Sequence, residues 1–114
     1  MPDSWCGPYD AVPNPVRAAL EPLLLAGGVD IVLAAHEHSV ELTWPMAHGR
    51  ATQFSYLNPA APVHIIAGAA GCNEEKGECL GPAAGNWSRA RLTGDPVQYG
   101  YSRLLGQRRA ALAL

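Results

Sequence analysis

Apolar positions recur with helical spacing at Val16, Leu20, Leu23 and Leu24, which predicts a helix from residue 16. Pro15 suits the first turn of that helix, and Asn14 stands before it as a candidate cap. Pro22 is expected to kink the helix or end it early, and Gly27-Gly28 is a stop signal. The pattern then changes. Residues 29–34 form a short, continuous apolar run rich in β-branched side chains, read as a strand buried on both faces. Residues 40–44 alternate apolar and polar and read as a second strand. Residues 62–67 predict a third strand and residues 99–105 a final one. Residues 47–61 and 72–98 are rich in small residues, Gly, Pro and Asn, and read as loops. Residues 68–71 read as a tight small-residue turn. Residues 1–15 are broken by five residues, Pro2, Gly7, Pro8, Pro13 and Pro15, and read as irregular.

Helix, glycine turn and apolar strand make an αβ unit, and α/β sheets place ligands at the carboxyl ends of their strands. The segment His36-Glu37-His38 falls just past such an end. Alternate residues of an extended segment point to the same side, so two imidazoles spaced this way can address one metal or two adjacent ones. Neutral imidazole suits zinc, iron and copper. Spacing alone is a weak signal, and its placement after a buried strand strengthens it. Glu37 is expected to point away from the pair. The other histidines read as structural: His64 lies inside an apolar strand, and His48 lies in an exposed glycine-containing loop. Trp44, Trp87, Tyr99 and Tyr101 read as packing residues.

Composition narrows the classes. The chain has 114 residues, about half of them hydrophobic, and a formal net charge of -2. That is enough for one small domain with a modest core. No basic stripe tracks a phosphate backbone, so nucleic acid is not an expected partner. Arg103, Arg108 and Arg109 read as part of a solvated tail. No run reaches the roughly 20 apolar residues that span a bilayer, so no membrane role is expected. The first residues lack the basic and apolar regions of a secretory leader. Cys6, Cys72 and Cys79 make an odd count. Cys72 and Cys79 flank a short Gly-containing stretch and read either as a small disulfide or as free thiols. Asn86-Trp87-Ser88 fits the N-glycosylation sequon.

The stretch Gly28-Val-Asp-Ile-Val-Leu-Ala-Ala-His-Glu-His-Ser39 resembles the last metal-binding motif of the purple acid phosphatases. It is closest to the animal-type iron/zinc branch. The resemblance continues through Trp44-Pro45, Asn58-Pro59 and Ala61-Pro-Val-His-Ile-Ile-Ala-Gly-Ala-Ala-Gly-Cys72. It resumes at Asn86-Trp87-Ser88 and Tyr99-Gly-Tyr-Ser-Arg-Leu104, in the family's order and approximate spacing. It implies an α/β fold: the C-terminal portion of a metallophosphoesterase two-sheet sandwich flanked by helices, incomplete in itself. The implied division is an irregular segment 1–15, a C-terminal part of the catalytic domain over 16–105, and a tail 106–114. By resemblance, His36 holds the divalent ion, zinc or manganese, and His38 holds the iron. Together the metals clamp a phosphate monoester for hydrolysis. The family is usually secreted or lysosomal/vacuolar, and this chain by itself does not indicate a compartment.

The departures carry equal weight. The family's Asp-x-Gly, Gly-Asp-x-x-Tyr, Gly-Asn-His-(Asp/Glu) and Val-x-x-His motifs are all absent from these 114 residues. After His38 the family usually reads Ser-Tyr-Glu-Arg, whereas this chain reads Ser39-Val40-Glu41-Leu42. Two imidazoles cannot fix a dinuclear centre. The expectation is therefore a fragment whose activity belongs to the complete parent and needs a complementary N-terminal segment. The alternative is a non-catalytic metal-binding or interaction module that holds one zinc through His36 and His38, with Glu41 or a partner's side chain as a further donor.

Overall fold

A computed structural model describes residues 15–35, 40–70, 85–92 and 100–106. The first described element is helix α1, Pro15–Ala26, which begins on its proline as the sequence suggests. Pro22 does not end it: the helix runs on to Ala26, through a stretch whose side chains are largely exposed. The glycines close it. Gly28 adopts φ 62°, its N–H donates to Leu25 O, and Val29 N–H donates to Leu24 O. These are the two bonds of a Schellman cap, which satisfy the last carbonyls and turn the chain toward the sheet.

The principal sheet has four strands: β1 (Ile31–Ala34), β2 (Val40–Thr43), β5 (Val63–Ala67) and β6 (Ser88–Leu92), in the order β1-β5-β2-β6. β1 and β5 are parallel, while β2 runs antiparallel to both β5 and β6. A separate hairpin joins β3 (Met46–Ala47) to β4 (Arg50–Ala51). Its two central residues, His48 and Gly49, have φ 53° and 74°. Two positive φ values are what a two-residue hairpin needs to match strand twist.

Several expectations are corrected. β1 is not buried on both faces: it is an edge strand, and Leu33 is 64% exposed. Residues 47–61 are not all loop, because the His48-Gly49 turn lets two very short strands pair. Within 72–98, read as loop, β6 forms. Residues 100–106 contain no strand, and Tyr101 is 91% exposed rather than packed. The physical reason is competition for a place in the sheet. Ser88–Leu92 takes the edge beside β2, whereas Gly100 contributes one backbone bond, to Ala69 O. A single sheet and a hairpin are described, so the two-sheet sandwich is not seen; the α/β class is.

The core lies where β2 runs into the hairpin. Pro45 is fully buried, Met46, Ala47, Ala61 and Val63 are buried, and Thr43 is the most buried polar residue among those described. Pro45 O accepts both the N–H and the hydroxyl of Thr52, at 2.8 and 3.0 Å. Met46 N–H donates to Pro62 O, which ties the hairpin to the start of β5.

Candidate functional site

Cross-strand partners share a face, so register sorts the sheet. Ile31 with Val63, Leu33 with Ile65 and Leu42 with Ala90, and Val40 with Ala67 lie on one side. Every one of them is apolar. The other side carries Val32 with His64, and Ala34 with Ile66, Glu41 and Arg91. One face is thus uniformly hydrophobic, and the other holds the ionisable groups.

On the polar face, Glu41 is buried and stands opposite Arg91, with Oε2 3.9 Å from Arg91 Nε. That nitrogen is buried and makes no hydrogen bond among the described residues, so the pair is held by charge rather than a directed bond. Glu41, considered as a further metal donor, thus lies beside Arg91. Thr43 Oγ1 accepts His64 N–H at 2.9 Å, and Thr43 O accepts Tyr56 Oη–H at 3.0 Å. The threonine hydroxyl replaces a strand carbonyl where the β2–β5 ladder ends. Burial pushes the His64 imidazole below its ordinary value, and the Glu21 charge partly opposes this. His64 is therefore the half-buried strand histidine its sequence context suggests.

Glu21 of α1 also reaches the hairpin. Its Oε1 accepts His48 N–H at 2.8 Å, and Oε2 lies 3.6 Å from His48 Nδ1. His48 itself is exposed, as expected. A register shift between Leu42 and Thr43 leaves Arg89 as the extra residue of a bulge in β6. Its guanidinium lies 5.2 Å from the Trp44 ring and 5.4 Å from the Tyr56 ring, which stack on each other. Trp44 packs as expected, with Phe54 at its edge. These contacts link residues far apart in the chain, and no spacing signalled them.

The described residues on either side of the histidine motif are Ala35 and Val40. β1 ends in register with β5, Ala34 beside Ile66, and β2 begins beside Ala67. Both flanks therefore stand at the carboxyl edge of the parallel pair. His36, Glu37 and His38 lie outside the described residues, as do Cys6, Cys72, Cys79, Tyr99, Arg108 and Arg109. Among the described residues, no three His, Cys, Asp or Glu side chains converge on a common point. Nor is any described helix long and apolar enough to cross a membrane.

Comparison with known proteins adds an independent line. A family profile described as iron/zinc purple acid phosphatase-like protein C matches residues 61–107. Acid phosphatase type 7 of Danio rerio is 43% identical over 95 residues, covering 80% of this chain and 20% of that protein. The Homo sapiens protein of the same name is 42% identical over 92 residues, covering 75% and 19%. Purple acid phosphatase 18 of Arabidopsis thaliana is 41% identical over 59 residues, covering 52% and 12%. The chain thus spans about a fifth of the length of the acid phosphatases it matches. No solved structure matches it.

Proposed function

Because the chain belongs to the purple acid phosphatase family, within its C-terminal domain, we propose that it supplies His36 and His38 to a dinuclear iron/divalent-metal centre hydrolysing phosphate monoesters. These 114 residues turn over no substrate by themselves. The observation that carries this reading is topological. Ala35 and Val40, the residues flanking the motif, stand at the carboxyl ends of the parallel strands β1 and β5, where α/β sheets present ligand-binding groups.

The donor chemistry fits such a centre. Neutral imidazoles bind iron and zinc readily, with His36 toward the zinc or manganese and His38 toward the iron. When bound, the two ions stabilise charge on the reacting phosphate. The chain's own contribution is to set the two flanks of the motif at one sheet edge, Ala35 after β1 and Val40 at the start of β2. The Glu41–Arg91 pair braces β2 against β6 immediately after the motif. The remaining ligands come from a complementary N-terminal segment. The uniformly apolar sheet face is where that segment's sheet packs to complete the sandwich, because such a face gains by burial against a second layer.

A graft tests the reading. Residues 16–105 are placed in the zebrafish acid phosphatase type 7 in exchange for its matching stretch, and hydrolysis of p-nitrophenyl phosphate is measured alongside iron and zinc content. The expected result is a folded, active hybrid that loses both turnover and iron when His38→Ala is introduced, and turnover and zinc with His36→Ala. A folded hybrid that is inactive, or one whose activity and metal content survive both substitutions, overturns the proposal.

A further inference from the structure

The turn entering β6 carries Asn86-Trp87-Ser88, the single Asn-x-Ser/Thr triplet without a central proline in the sequence. Its place in the fold leaves room for a group carried on the asparagine. Asn86 is exposed. Ala51 N–H donates to Asn86 Oδ1 at 3.3 Å. A backbone N–H can only donate, so the oxygen must face β4 and Nδ2 is the end of the carboxamide that β4 does not hold. The bulky central residue is turned back: a Cβ on Gly85 would lie 1.8 Å from Trp87 Cζ3, so the indole ring occupies the space over Gly85. Ser88 N–H donates to Gly85 O at 3.0 Å, which closes the turn.

The turn also lies away from the histidine motif. Ser88 pairs with Thr43 at one end of β2, and Leu92 pairs with Val40 at the other, next to residues 36–39. A bulky group on Asn86 therefore leaves the carboxyl edge of β1 and β5 clear. We propose that Asn86 is an N-glycosylation site. The co-substrate is a lipid-pyrophosphate-linked oligosaccharide. The Asn86 Nδ2–C1 bond forms as the C1–O bond to the pyrophosphate breaks. The pyrophosphate leaves with the electron pair, and the Nδ2 proton passes to the transferase's base. The Ser88 hydroxyl is the recognition element two residues on. This inference does not rest on the phosphatase reading.

The test is translation of the full chain behind a cleavable secretion leader in the presence of microsomes, followed by gel mobility with and without endoglycosidase. The expected result is one slower species that endoglycosidase converts to the faster one. It is lost in Asn86→Gln and Ser88→Ala and kept in Ser88→Thr. The readout is covalent attachment, so it does not depend on the variants folding. The absence of an endoglycosidase-sensitive species, or its persistence in Asn86→Gln, overturns the proposal.

Discussion

Two regions of this molecule are built differently. From Thr43 to Val63 the chain folds into a platform in which Pro45, Met46, Ala47 and Ala61 are buried and backbone groups are tied locally. From Val16 to Ala35 it forms a regular helix and strand with no buried side chain: Leu23 is 68% exposed and Leu33 is 64% exposed. Both regions have hydrophobic sequence. The platform forms a buried centre within 21 residues, though Phe54 and Leu57 stay exposed, whereas the helix and edge strand bury no side chain and hold apolar surface suited to a layer that the described residues do not supply. Regular secondary structure and a satisfied core are therefore separate achievements here. The helix forms from local periodicity and its Schellman cap, and burial of its apolar stripe is left to another segment.

The largest test of that contrast is truncation in each region. Met46→Ala is expected to lower stability by about 2–4 kcal/mol through the cavity it opens, read by urea unfolding with tryptophan fluorescence. Leu23→Ala and Leu33→Ala are expected to change it by no more than about 0.5 kcal/mol, while Leu23→Lys and Leu33→Lys raise the soluble yield. Equal costs in both regions would erase the distinction.

A smaller effect is expected where the platform meets β5. Thr43→Val leaves His64 N–H without its partner, at a cost of about 1–3 kcal/mol, and Thr43→Ser recovers most of it. Amide exchange at His64, faster in the valine variant alone, locates the effect.

The smallest is a pH dependence. His64 is held below its ordinary value of 6.5 by burial, so the unfolded chain binds the proton more readily. Stability from this group is intact above the unfolded value and declines as pH falls below it. Acid sensitivity in that window is expected to weaken in His64→Gln and to deepen in Glu21→Gln, which removes the charge favouring the protonated ring. Urea midpoints at pH 7.5 and 5.5 check both signs.

Legibility in the sequence followed locality. The helix, β1, β2 and β5 were readable because each carries its own periodicity and its own glycine or proline punctuation. The β3–β4 hairpin was not, since its signal is only His48-Gly49 and a histidine at positive φ is uncommon. β6 was hidden because its short alternation, Arg89 and Arg91 between small or apolar residues, lies inside a stretch dominated by turn formers. The described part of 99–105, residues 100–105, showed the opposite error: strand-like composition without a place in the sheet. The histidine motif was readable through its family resemblance. The contacts that organise its surroundings were not: Glu21 to His48 spans 27 positions and Thr43 to His64 spans 21. Such pairings exist only once the sheet order is set.

Under the proposed function, this chain carries two metal-binding histidines of a phosphatase centre but not the centre itself. The most direct measurement is hydrolysis of p-nitrophenyl phosphate at mildly acidic pH by the purified 114-residue chain, supplied with iron and zinc. The account predicts turnover indistinguishable from metal-containing buffer. Clear turnover by the chain alone, abolished by His38→Ala, would contradict it.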